Sequence, residues 1–334
     1  MRVMSDHGES RSQNYSATVE RTIPAEHAGL RLDQALARLF PEHSRSRLQA
    51  WVRAGRVTVD AAQADVKRKV WGGERVALSP SAAGTADRYA PQAIGLEIVH
   101  EDEAILVVDK PAGMVVHPGA GNRDGTLANA LLHHAPALAA VPRAGIVHRL
   151  DKDTTGLLVV AKTLAAQTDL VRQLAHRTAK REYLALVHGR VAQAGEVDAP
   201  IGRHPTARTR MAVTPRGKPA RTRYRVVERF ADATLLAVSL DTGRTHQIRV
   251  HMRSIGHPIV GDPTYGQRAA PRAGPREGKR GSAQPATIAF PRQALHAARL
   301  GLVHPASGAA CEWRSELPGD MRSLVDRLRD RARR

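Results

Sequence analysis

The sequence predicts an α+β protein with two folded parts. Strand-like and helix-like segments follow one another without a regular βαβ alternation, and a small polar stretch at 81–92 divides the chain as a linker. A length of 334 residues is enough for two domains with at least one sizeable core. Composition is ordinary for a globular chain, 42% hydrophobic and 25% charged. No apolar run approaches the roughly 18–20 residues needed to span a bilayer. Residues 1–14 are polar and lack the apolar stretch of a secretory signal, so a disordered tail over 1–18 and a cytoplasmic location are expected. Cys311 is the single cysteine, which excludes an intrachain disulfide and a zinc site built from cysteines.

The elements read in order as follows. Leu32, Leu36 and Leu39 have helical spacing, and Ser44 can cap a second helix carrying Leu48, Trp51 and Val52. Gly55 stops that helix, and short strands follow at Val57-Thr58-Val59 and Arg75-Val76-Ala77-Leu78. The larger part opens with strands at 96–99 and 105–108. A helix near 127–133, a strand at 157–161 and a helix over 165–176 come next. Strands at 183–187, 222–227 and 235–240 precede a helix near 245–255. The run 321–334 has helical period at Leu324, Val325 and Leu328 and reads as a closing helix with a basic surface.

Charge narrows the function classes. Lys and Arg total 51 against 32 Asp and Glu, a formal net charge of +19, which implies a polyanionic partner. The surplus is uneven. Arg45, Arg47, Arg53 and Arg56 crowd the second helix and its turn, as suits a unit that grips an RNA backbone, although a solvated helix face is the plainer alternative. Further excess lies in 199–227 and in a Gly/Pro/Arg-rich surface loop at 267–285.

Several chemistries are missing. There is no dinucleotide fingerprint, P-loop or Gly-x-Ser-x-Gly elbow, and the histidines do not take metal-binding spacing. What stands out is His148-Arg149-Leu150-Asp151-Lys152-Asp153-Thr154-Thr155-Gly156, a tight polar loop between two apolar runs. Asp151 and Asp153 can serve there simply as turn acceptors. Arg149 and Lys152, however, flank Asp151 and favour an ionised carboxylate available as a nucleophile. Arg249 lies about one turn into a helix opened by Thr245, where it can pair with that carboxylate or face solvent. Tyr183 opens a strand between basic residues in a chain with 3% aromatics. It can belong to the core or stack on a base lifted from RNA, a contact worth roughly 1–3 kcal/mol.

Together these segments resemble the pseudouridine synthases, specifically the branch acting on large-subunit (23S) ribosomal RNA, over nearly the whole chain after residue 18. His-Arg-Leu-Asp-Lys-Asp-Thr-Thr-Gly at 148–156 is similar to the family's catalytic loop, Arg-Glu-Tyr at 181–183 to its Lys/Arg-x-Tyr motif, and Gly-Arg-Thr-His-Gln-Ile-Arg at 243–249 to its arginine motif. The resemblance implies a catalytic domain over 93–334 with a mixed, mainly antiparallel sheet, and a small α/β S4-like RNA-binding domain over 19–80. It makes Asp151 the catalytic aspartate, packs Tyr183 on the target uracil and pairs Arg249 with Asp151. His148 and Arg149 would lie beside the nucleotide, with Arg149 able to fill the space left by a flipped base. The implied reaction, uridine to pseudouridine, uses no metal, redox cofactor or nucleotide. The implied partner is ribosomal RNA or a large-subunit precursor particle, met by a monomer with no membrane contact. Two alternatives stand beside this: the same chemistry on tRNA, and a non-catalytic RNA-binding ribosome-assembly factor. One departure is Val59-Asp60-Ala61, where S4 domains usually carry Val-Asn-Gly, which loosens the turn expected there.

Overall fold

The computed structural model describes residues 18–41, 43, 45–80, 90–119, 121–207, 209–266 and 288–333. The chain divides into two compact units, Met1–Arg88 and Tyr89–Arg334. Almost all of the expected tail, most of the 81–92 linker, the 267–285 loop and the helix cap expected at Ser44 lie outside the described residues.

In the smaller unit, β1 (Val19–Thr22), β2 (Val57–Val59), β3 (Ala62–Gln63) and β4 (Arg75–Leu78) form an antiparallel sheet in the order β1-β4-β2-β3. Helices α1 (Leu32–Leu39) and α2 (Arg45–Arg53) supply Leu32, Leu36, Leu48, Trp51 and Val52 to one core with Val57, Val59, Val76 and Leu78. Asp33 is wholly buried beside it and accepts from Arg45 (2.6 Å), Gln49 (2.6 Å) and Arg31 (3.1 Å). Burial alone would raise that carboxyl, but Arg45, Gln49 and Arg31 hold it below its ordinary range. The departure at 59–61 does not loosen the turn. Asp60 (φ 51°) and Ala61 (φ 61°) are both left-handed in the two-residue link between β2 and β3. The Asp60 Oδ1 also accepts the Arg75 N–H at 2.9 Å, which ties the turn to β4.

The larger unit is built on a nine-stranded sheet. Its strands are β5 (Glu97–Glu101), β6 (Ile105–Lys110), β7 (Thr155–Ala161), β8 (Lys180–His188), β9 (Gly195–Asp198), β12 (Arg221–Arg229), β13 (Ala233–Leu240), β14 (Leu295–Val303) and β15 (Ala310–Arg314). A separate hairpin pairs β10 (Ile201–Arg203) with β11 (Met211–Val213). The main order is β5-β6-β7-β14-β8-β13-β12-β9, with β15 on β14, and all pairings are antiparallel except β7 with β14. The sheet is therefore mixed and mainly antiparallel. Its central strands are buried on both faces, which is why 105–108 and 157–160 are unbroken apolar runs. Leu106, Val108, Leu158 and Val160 face the main core. Ile105, Val107, Leu157 and Val159 face a second core, with Ala166 and Leu170 of α4 (Leu164–His176). Leu127 and Leu131 of α3 (Leu127–His134), Ile248 and Met252 of α5 (Gln247–Ser254), and Leu324 and Leu328 of α6 (Gly319–Arg333) complete the main core.

Two expected boundaries move. Tyr183 does not open its strand, because β8 begins at Lys180. The 245–255 helix starts at Gln247, since His246 takes a left-handed φ of 56° that no helix interior admits. The Gln247 amide fixes this start. Its Oε1 accepts from Thr242 Oγ1 and the Arg244 N–H, and its Nε2 donates to Arg221 O and Thr222 Oγ1.

Candidate active site

The loop before β7 is held from several sides. The Thr154 N–H donates to Asp151 O, closing the turn at 3.0 Å. Buried Lys110 donates through Nζ to Lys152 O (2.9 Å), Met114 O (3.0 Å) and Pro111 O (2.7 Å). Burial lowers that ammonium to about 8, against the opposing pull of Asp153 and Asp151. Arg292 donates through Nη1 to Asp153 O at 3.0 Å while its other nitrogens bind Asp320. The Gln293 amide reaches Thr154 Oγ1, and His296 Nδ1 bonds Thr155 Oγ1 at 2.9 Å. Gly156 is required by the one parallel pairing. Its φ is +109°, and a Cβ there would meet Ala297 O at 2.3 Å.

Asp151 meets Arg249 across 98 residues of sequence, Nη1 to Oδ2 at 2.9 Å. Among the described residues its ion-pair partner is Arg249, and His246 Nε2 lies 3.9 Å from its Oδ1. Among the described residues Arg149 and Lys152, which flank Asp151 in the sequence, form no ion pair with it. Adjacent side chains on a tight turn diverge, whereas α5 aims Arg249 directly at the loop.

Arg249 is itself gripped by Asp262, Nε to Oδ2 at 2.7 Å and Nη2 to Oδ1 at 2.9 Å. The Asp262 Oδ1 also accepts the N–H groups of Thr264 and Tyr265. Burial works against both charges, yet Asp262 and Asp151 leave the guanidinium raised, and Arg249 with the two N–H groups leaves Asp262 lowered. This is a buried, fully engaged ion pair with one guanidinium edge left for Asp151.

A second chain reaches the same carboxylate. The Met211 N–H donates to the Tyr265 hydroxyl at 2.8 Å, and that hydroxyl lies 2.9 Å from His246 Nδ1. Burial, only partly opposed by Asp151, lowers the His246 imidazole, so it is neutral at neutral pH. If the tyrosine O–H donates to Nδ1, the imidazole proton sits on Nε2, the nitrogen facing Asp151.

Asp151, Arg249 and His246 line a cavity of ≈ 370 Å³, within the size range of small-ligand sites. Tyr183, 5% exposed, lines it together with Asp151 and Arg249. Burial raises the tyrosine's hydroxyl pKa, so it stays protonated. Arg143, Arg149, Arg181 and Arg244 also line the cavity, leaving it strongly cationic around a single carboxylate. The Arg181 Nε is buried without a hydrogen-bond partner among the described residues. Arg149 is exposed. His148 is half-buried, and its Nε2 accepts the Val159 N–H at 3.2 Å. Burial, then Arg181, lowers its pKa to about 3, so it is a neutral hydrogen-bond acceptor locking the loop to β7. His148 also lines the cavity.

The structure thus brings together Asp151, Tyr183, Arg249, His148 and Arg149. Arg45, Arg47, Arg53 and Arg56 belong to the other unit and fare unequally. Arg45 is committed to Asp33, and the Arg47 guanidinium lies 5.7 Å from the Trp51 ring centre, whereas Arg53 and Arg56 are exposed. In the basic 199–227 run, Arg221, Arg223 and Arg225 pair with Asp198, Glu196 and Glu182. Asp262, Tyr265, His246 and Lys110 were not found by sequence reasoning. An acid directly after Ile259-Val260-Gly261, and a lysine closing an apolar strand before Pro111, were the available signals. Among the described residues no cluster of His, Cys, Asp and Glu could hold a metal ion, and no helix is long and apolar enough to cross a membrane.

Comparison with known proteins matches residues 104–254 to the family described as RNA pseudouridylate synthase and residues 30–76 to the S4 domain. The chain is 57% identical to a ribosomal large subunit pseudouridine synthase D of Nitrosomonas europaea, over 96% of this chain and 90% of the relative. It is 53% identical to the protein of that name from Escherichia coli (strain K12), over 92% and 93%. Among solved structures it is similar to human RNA pseudouridylate synthase domain containing 4, with TM-score 0.51 and 28% identity over 70% of this chain and 93% of that one.

Proposed function

The chain belongs to the pseudouridine synthase family, and from that premise we propose that it isomerises specific uridines of large-subunit (23S) ribosomal RNA to pseudouridine, with Asp151 as the catalytic carboxylate. The observation that carries this reading is the Asp151 carboxylate in a cationic cavity, held by Arg249 and lined by Tyr183. A uridine inside a duplex cannot reach such a cavity, so the target nucleotide leaves its stack and enters it. Tyr183 supports the uracil through its ring, and Arg149, which lines the cavity, fills the gap left in the RNA. Asp151 then acts on the nucleoside as the N1–C1′ bond breaks, either by covalent attack or by supporting elimination at the ribose. Arg249 holds the carboxylate aimed at the nucleoside. The freed base turns within the cavity and rejoins the ribose through C5, which gives up its proton while N1 takes one up. Substrate and product are isomers, so the reaction draws on neither an oxidant nor an energy donor.

The proposal includes a monomer acting in the cytoplasm on ribosomal RNA or a large-subunit precursor particle, gripped by the S4 domain and the basic surface. The test is incubation of purified protein with pseudouridine-free transcripts of large-subunit ribosomal RNA and of tRNA, followed by mapping. Pseudouridine at discrete sites in the ribosomal transcript alone is expected. Modification of tRNA alone would move the substrate, and modification of neither RNA, in free or particle form, would make the chain a binding factor.

A further inference from the structure

Trp71 is 71% exposed, more than any other large hydrophobic side chain among the described residues, in a chain with 3% aromatics. Leaving an indole in water forfeits the burial that holds Trp51 at 2% exposure. The backbone that presents it is rigid. The Trp71 and Gly72 N–H groups each donate to one Glu74 carboxylate oxygen, both at 2.7 Å. The Gly73 N–H bonds Ile23 O at 2.8 Å, and the Ile23 N–H bonds Glu74 O at 2.9 Å. Gly72 has a φ of +87° and lies so close to Ala25 that a Cβ would come within 2.7 Å of its Cα, so the turn is seated against the chain before α1. Val70 on the core side is fully buried, and Gly29 and Leu30 bracket it with backbone bonds. Lys69 and Trp71 are both exposed on either side of buried Val70, and exposed Lys67 lies in the turn just before them.

A fixed aromatic face beside ammonium groups suits a single polynucleotide strand, whose base stacks on the ring while its phosphates meet the cations. A net charge of +19 favours that polyanion over a protein surface, and residues 30–76, which include Trp71, match the S4 domain. Trp71 is also distinct from α2, whose Arg45 is spent on Asp33. We propose that Trp71 is a stacking platform for an unpaired RNA base, with Lys69 and Lys67 taking the adjacent phosphates. The platform requires that the chain binds RNA, but it does not depend on Asp151 being catalytic.

The test uses the full chain and a fluorescein-labelled single-stranded oligouridine, beside a fully paired RNA duplex of equal length, with binding read by anisotropy over a salt series. W71A is expected to weaken oligouridine binding about 5- to 150-fold, the span of one lost base–aromatic stack. Its salt slope and its duplex affinity should stay at wild-type values. K69A should lower the salt slope by about 0.7, one phosphate on a single strand. W71F keeps a ring for the base, so it should retain most of the affinity while abolishing the quench of tryptophan emission that oligouridine causes. Unchanged oligouridine affinity in W71A would overturn the proposal, as would an equal loss on the duplex or a quench that persists in W71F.

Discussion

Replacing Asp262 with alanine removes the carboxylate that holds Arg249, and the cost can be worked from the geometry. The Asp262 side chain is wholly buried and that of Arg249 is 5% exposed, joined by two bonds of 2.7 and 2.9 Å. Breaking such a pair from one side leaves a buried guanidinium with Asp151 as its remaining carboxylate, a loss of about 3–5 kcal/mol. The Thr264 and Tyr265 N–H groups lose their acceptor in the same change, but these losses overlap, so the total is expected to stay within that range. Against a total stability of about 5–15 kcal/mol this is a large fraction. In thermal terms it is a fall of roughly 6–20 °C, at about 2–4 °C per kcal/mol for a unit of this size. Urea unfolding followed by circular dichroism measures it directly in the transition of the larger unit. D262N keeps an oxygen for the two N–H groups and should fall between wild type and D262A. Because the folded Asp262 is lowered, its contribution is complete above the ordinary carboxylate range and is lost as pH falls through the folded value, so the gap between wild type and D262A should narrow in acid. An unmoved midpoint with an unchanged denaturant slope would refute the view that Asp262 anchors Arg249.

Three further outcomes follow from particular contacts. Ala61 holds a left-handed φ of 61°, so A61G should stabilise the smaller unit by about 1 kcal/mol, read as a higher melting temperature; a lower one would mean the turn conformation is not the strained element. Burial lowers His148 to about 3, so the unfolded chain binds the extra proton, and stability of the larger unit should decline as pH falls from about 6.5 toward 3. H148Q should flatten that limb of a pH–stability curve, and an unaltered limb would assign it to other groups. Y265F removes the hydroxyl that sets the His246 tautomer, and kcat for pseudouridine formation should fall about two- to tenfold with KM unchanged, in line with one hydrogen bond of ~0.5–1.5 kcal/mol. A rise in KM alone would make Tyr265 a binding contact.

What the sequence disclosed and what it concealed divide along physical lines. The apolar runs 105–108 and 157–160 had to be central strands, because only burial on both faces removes the polar alternation. Asp151, Tyr183 and Arg249 stood in short motifs whose residue types already implied a nucleophile, a stacking face and a countercharge. Their partners were not legible, since Asp262 meets Arg249 only through a bend and Lys110 meets the Asp151 loop from 42 residues away. Counting arginines was similarly incomplete. The sum of charge pointed to RNA, but Arg45, Arg221, Arg223 and Arg225 are paired with carboxylates that no local pattern places beside them.

The claim that Asp151 does the chemistry is tested most directly by single-turnover modification of a large-subunit ribosomal RNA transcript with wild type, D151N and D151A, alongside RNA affinity measured on the same preparations. The account predicts that both variants bind the transcript about as tightly as wild type and form no pseudouridine. Pseudouridine at the wild-type positions in D151A would contradict it.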